Sequence, residues 1–104
     1  MSKGFAREVL ATLRRHGSDV TKPHRFEFYL EVPSKRNATL AAKQICQSGF
    51  TTEVTHSEKR WLIVAGKSLT PATANLADHA RFFQQMVDAV GGEFDGWEAE
   101  IVEK

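Results

Sequence analysis

The segment Phe26-Glu27-Phe28-Tyr29-Leu30-Glu31-Val32 alternates large apolar residues with two glutamates and a tyrosine, and Pro33 follows directly. Successive side chains of a β-strand point to opposite sides of a sheet, so a period of two predicts a strand with one face in a core. A helix would scatter these four apolar side chains around its circumference. The segment therefore commits the chain to a sheet covered on one side, with Glu27, Tyr29 and Glu31 left on the other. Pro33 has no N–H for a ladder and ends the strand.

The elements around this strand follow from their own spacing. Phe5, Val9, Leu10 and Leu13 recur at helical intervals between Ser2 and His16, and Gly17 stands where a left-handed residue would stop a helix. Ser18 to Pro23 is a connection. After Pro33, Ser34 is an N-cap, Ala38, Ala41, Ala42 and Ile45 mark the buried side of a second helix, and Gly49 closes it. Phe50, Thr52 and Val54 alternate again, Ser57 to Arg60 is a polar turn, and Trp61 to Gly66 is a short apolar run, together a β-hairpin. Thr70-Pro71 predicts a helix start, with threonine as the cap and proline at the first helical position. That helix carries Leu76, Ala80, Phe83, Met86, Val87 and Val90 on one side and ends at Gly91-Gly92. Phe94 to Ile101 is a last strand, and Gly96 inside it indicates a bulge. The order is an extra helix over 1–17 followed by βαββαβ over 24–104, an α+β ferredoxin-like arrangement with a four-stranded antiparallel sheet and two helices on one face.

The 104 residues, 11.7 kDa, suit one domain over 1–104. No run approaches a membrane span, and the charged first fifteen residues do not read as a secretory signal, which predicts a cytoplasmic protein without membrane contact. One cysteine, Cys46, excludes an internal disulfide, and beside Ile45 it is expected to be a small, inert core residue. His16, His24, His56 and His79 lie on four elements with no i, i+4 pair, so neither a metal nor another cofactor is expected. No phosphate-binding glycine loop and no nucleophile elbow occurs. An acylphosphatase-like enzyme of this fold class would need an arginine-bearing glycine loop after the first strand, where Pro33-Ser34-Lys35-Arg36-Asn37 stands instead. The expectation is a non-enzymatic chain.

Two surfaces remain as binding candidates. Net charge is +1, but residues 1–36 hold eight Lys/Arg against four acids, and residues 68–104 hold seven acids against two basic residues. Arg7, Arg14, Arg15, Lys22, Arg25, Lys35 and Arg36 could form a patch for direct RNA binding. The sheet face with Glu27 and Glu31 would repel phosphates, which disfavours an RNA reader there. The same face suits a protein partner: Tyr29 and Trp97 as anchors, Glu27, Glu31, Asp95 and Glu98 facing basic residues, with Trp61 as further aromatic area. Core packing of Trp61 and Trp97 is the alternative for both. Whether the first helix packs in cis or mediates a dimer is open at this point.

Glu93-Phe94-Asp95-Gly96-Trp97-Glu98 resembles the Glu-Tyr-Asp-Gly-Trp signature of the bacterial regulator of ribonuclease activity B family, with phenylalanine for tyrosine. Gly17-Ser18-Asp19, the strand from Arg25 to Pro33, and Gly49-Phe50-Thr51-Thr52-Glu53-Val54 are similar to other family segments, in the same order and spacing. The resemblance spans most of the chain. It implies a ferredoxin-like fold and a regulator that binds ribonuclease E, lowers its RNA cleavage and alters which proteins join the RNA-degrading assembly.

Overall fold

The computed structural model describes residues 2–104. Its elements run α1 (Ser2–Arg15), β1 (His24–Val32), α2 (Lys35–Gln47), β2 (Thr51–Ser57), β3 (Arg60–Leu69), α3 (Leu76–Asp88) and β4 (Glu93–Ala99). The strands form one sheet in the order β2-β3-β1-β4, with every neighbouring pair antiparallel. This is the ferredoxin-like arrangement with an additional N-terminal helix.

β1 is the central element, and its alternation is realised in full: Phe26, Phe28, Leu30 and Val32 are completely buried. Phe28 sits at the middle of an aromatic cluster, with ring centroids 5.0 Å from Phe83, 5.8 Å from Phe26 and 6.2 Å from Phe50. α2 contributes Ala38, Ala41, Ala42 and Ile45, small enough to bring its axis close to β2 and β3. Its start is fixed by Ser34, whose Oγ accepts the Asn37 N–H at 3.2 Å.

α3 begins five residues later than Thr70-Pro71 implies. Thr70 to Ala74 make one turn, with the Ala74 N–H donating to the Thr70 carbonyl at 2.8 Å, and the chain then breaks. Two bonds account for the shift. The Ala72 N–H donates to the Val20 carbonyl at 2.9 Å, tying the turn to the segment after α1, and Asn75 Oδ1 caps the helix proper by accepting the Asp78 N–H. β3 correspondingly runs on to Leu69. Cys46 is exposed on α2, contrary to the expected core position, because the inward stripe is completed by Ala42 and Ile45 and leaves position 46 outside.

α1 packs in cis against α3, burying Val9 and Leu13 and placing Phe5 5.8 Å from Phe94. Three helices side by side are about 30 Å wide, whereas four strands at ~4.8 Å spacing span about 19 Å. α2 lies toward β2 and β3, so α1, at the other end of the helix layer, overhangs the β4 edge; the molecule measures 42 × 25 × 24 Å. The segment after β4 is held by Ser18: its Oγ accepts the Val102 N–H at 2.8 Å and donates to His24 Nε2 at 2.6 Å, while His24 Nδ1 faces the Lys22 carbonyl at 2.7 Å. A carbonyl only accepts, so a proton of His24 belongs on Nδ1.

Candidate functional site

The sheet face away from the helices is built by strand register. On β1 it carries Glu27, Tyr29 and Glu31. Opposite them β3 presents Gly66, Val64 and Leu62, and β4 presents Glu98 across from Glu27 and Glu93 across from Glu31. β2 adds Glu53, paired with Val64. Val64 and Leu62 are half-buried, so the face is a short apolar strip beside Tyr29 with carboxylates on both flanks.

Tyr29 joins these groups. Its hydroxyl donates to Glu98 Oε2 at 3.0 Å, with Glu27 Oε1 at 3.4 Å as a second acceptor. Partial burial, the bond to Glu98 and the charge of Glu27 all favour the neutral phenol and push its pKa up to about 12. At the far end Arg25 lies across the sheet and donates from Nη2 to Thr51 Oγ1 at 2.7 Å. Gly66 makes that crossing possible, because a Cβ there would collide with the Arg25 guanidinium and stand 2.8 Å from Thr51 Oγ1.

Glu27, Tyr29, Glu31 and Glu98 thus come together on one face, and Asp95, exposed in β4, joins them at its edge. Trp97 does not. Trp97 pairs with Phe28, and its ring is 5.9 Å from Phe26, on the helix side of the sheet. The cause is a bulge: between the pairs Leu30–Phe94 and Phe28–Trp97, two residues, Asp95 and Gly96, stand opposite Tyr29 alone. The extra residue puts Phe94 and Trp97, three apart, on the same side, and Gly96 adopts φ +102° to do so. Trp61 also lies on the helix side, stacked on His56 with centroids 4.4 Å apart and with Lys35 Nζ 5.9 Å from its ring centre. Glu53, Leu62, Val64 and Glu93 share this face and are not among the residues that the sequence singles out. The parity of Leu62 and Val64 against Ile63 and Ala65 was the available signal.

No side chain here is arranged as a nucleophile with a base. Ser18 and His24 are hydrogen-bonded, but they are 1% and 0% exposed and their partners are backbone groups, so the pair is structural. Among the described residues, no group of three or more His, Cys, Asp or Glu is placed to hold a metal ion, and no helix is long and apolar enough to cross a membrane. The basic N-terminal residues are dispersed: Arg7, Arg14 and Arg15 on α1, Lys22 in the following connection, Arg25 across the sheet, and Lys35 and Arg36 in the first turn of α2. α3 stands between the two helices that carry most of them.

The arrangement is suited to binding. Carboxylates opposed across adjacent strands around an apolar strip suit a basic, partly apolar protein surface. Compared with known protein families, residues 4–99 match the family model described as Regulator of ribonuclease activity B. No curated protein matches the chain.

Proposed function

The chain belongs to the Regulator of ribonuclease activity B family, and from that premise we propose that it binds ribonuclease E through its acidic sheet face and modulates RNA cleavage without catalysing a reaction itself. The observation that carries this reading is a pair of like-charge oppositions. Glu27 stands directly across from Glu98, and Glu31 directly across from Glu93. Like charges facing each other across antiparallel strands are destabilising, so stability alone would favour a lysine at one member of each pair. Four carboxylates kept at such positions form a surface whose charge fits a cationic partner better than it fits the fold.

An RNA-degrading enzyme must carry basic surface to hold its polyanionic substrate, which makes such surface an available target for an acidic competitor. Tyr29, Leu62 and Val64 supply the apolar contact that charge alone lacks. Direct RNA binding has no comparable support, because the basic residues lie on separate elements and the open face is acidic.

The test is binding to purified ribonuclease E, with cleavage of a short fluorogenic RNA measured in parallel, for the intact chain and for the Glu27→Lys/Glu31→Lys double variant. The intact chain is expected to bind and to slow cleavage, with affinity reduced about tenfold or more in the variant. Equal affinity for both removes the sheet face from the interaction, and no binding by the intact chain rejects ribonuclease E as the partner.

A further inference from the structure

Beneath the α1 overhang runs a groove of ≈ 720 Å³, with Thr12 and Leu13 of α1 on one wall and Trp97, Ala99 and Ile101 along the other. Ile101 is 48% exposed, one of two large apolar side chains so open among the described residues. The groove is also charged. Glu8, Glu27, Glu98 and Glu100 line it against Arg25 and His16, whereas Arg7, Arg14 and Arg15 of the same helix do not.

Backbone parity makes this groove more than a depression. The Glu100 N–H donates to the Arg25 carbonyl and the Arg25 N–H to Glu100 Oε1, so the backbone groups of Arg25 face β4, and those of Glu27, opposite Glu98, have the same parity. The pairs 26/99 and 28/97 are then the non-bonded kind, so the N–H and C=O groups of Trp97 and Ala99 point away from β1, into the groove. β4 is an edge strand, and no other strand reaches these groups among the described residues. An unpaired strand edge is a template for another strand.

Resting on the reading above that this chain is a protein-binding regulator, we infer that the partner docks by strand addition: an extended segment with alternating basic and apolar residues pairs with β4 at Trp97 to Ile101, beneath α1. Residues paired with Trp97 and Ala99 would place their side chains on the helix side, against Leu13 and the Trp97 ring. Residues paired with Glu98 and Glu100 would place theirs on the acidic side. Main-chain bonds supply affinity and the alternation supplies selectivity, as in other cases where a peptide extends a sheet. The groove opens onto the sheet face through Glu27 and Glu98, so one partner can occupy both.

The probe is a capped seven-residue peptide of alternating arginine and valine. Its controls are a block-ordered peptide of the same composition and two N-methylated forms, one methylated at every valine and one at every arginine. Amide shifts of the full chain are expected at Trp97 to Ile101 and Thr12 to His16. The block-ordered peptide should bind about tenfold more weakly, and so should one methylated form but not the other. Which methylated form fails gives the strand direction. Equal binding of all four peptides, shifts confined to Thr51 to Ser57, or self-association of the chain through β4 in place of peptide binding would overturn the inference. Two groove variants, Thr12→Arg and Ile101→Lys, checked for an unchanged melting temperature, should each release both the peptide and ribonuclease E. If Glu27→Lys/Glu31→Lys releases ribonuclease E and neither groove variant does, strand addition fails and the regulator reading stands. If the peptide occupies the groove while ribonuclease E does not bind at all, the partner assignment fails and the groove stands.

Discussion

Tyr29 is the only tyrosine in the chain, so its phenol can be followed in the ultraviolet without ambiguity. The unfolded phenol ionises near its usual 10.0, and the folded one keeps its proton up to about 12 because burial, the Glu98 bond and the Glu27 charge all disfavour phenolate. The folded state then binds more protons between those values. The stabilisation from this group is present in full below pH 10 and is lost as pH rises from there through about 12. A spectrophotometric titration should place the phenolate transition near the upper value, and Glu98→Gln should move it down; a transition at the ordinary value would show that the Tyr29–Glu98 bond does not form. Two glycines give a second comparison between single residues. In Gly66→Ala the new methyl meets the tip of the Arg25 side chain, which is free to swing away, and Thr51 Oγ1 at 2.8 Å, which can turn aside by giving up its bonds to Arg25 and the Gly66 carbonyl, so the cost should stay at about 1 kcal/mol. In Gly92→Ala it meets the Glu31 carbonyl oxygen of the main chain, with Val32 Cγ1 at 3.1 Å, and the cost should reach about 2 kcal/mol. Urea unfolding of both variants checks the order, and a reversed order would mean that Arg25 is held more firmly across the sheet than one hydrogen bond to Thr51 implies.

Among the elements, β4 shows where local pattern is sufficient and where it stops. β1 was legible because its period of two runs unbroken for seven residues, and α2 because cap, alanine stripe and closing glycine agree. Gly96 likewise signalled a bulge. The facing of Trp97 did not follow from that signal, because a bulge reverses the parity of every later residue, and only the pairing partners show at which position the reversal occurs. For the same reason the candidate site was legible on β1, where Glu27, Tyr29 and Glu31 share a face by simple alternation. It was not legible on β3, where an unbroken apolar run conceals which residues face outward. The start of α3 was misplaced because a hydrogen bond to Val20, distant in sequence, competes with a local cap. The bulge gives a prediction of its own. Gly96→Ala imposes a side chain at φ +102° and should cost about 1–2 kcal/mol. Deleting Gly96 leaves Phe94 and Trp97 two apart, so regular pairing keeps Trp97 opposite Phe28 on the helix side; the deletion should cost no more than the alanine substitution and leave the tryptophan emission in place. A red shift on deletion would mean that the bulge itself, and not alternation alone, holds Trp97 against Phe26.

For the whole molecule the issue is how a domain with a net charge of +1 maintains one strongly acidic face. The basic residues that balance the total lie mainly on α1, in the connections and at the start of α2, so neutrality of the molecule does not neutralise the sheet. Repulsion between Glu27 and Glu98, and between Glu31 and Glu93, therefore acts on the native state and is relieved on unfolding. Replacing Glu27 and Glu31 by lysine converts two like-charge oppositions into two cross-strand ion pairs. Each conversion should contribute about 0.5–1 kcal/mol to stability, and for a domain of this size the gain should raise the melting temperature by several degrees. Salt gives the complementary signature, since screening weakens repulsion and attraction alike. Added salt should raise the melting temperature of the natural chain and lower that of Glu27→Lys/Glu31→Lys. The same variant is the one expected to lose its partner, so stability and binding should move in opposite directions at these two positions. A double variant that is less stable than the natural chain at low salt would mean that the carboxylates support the sheet, through Tyr29 and neighbouring backbone groups, and the physical case for an acidic docking face would fall with it.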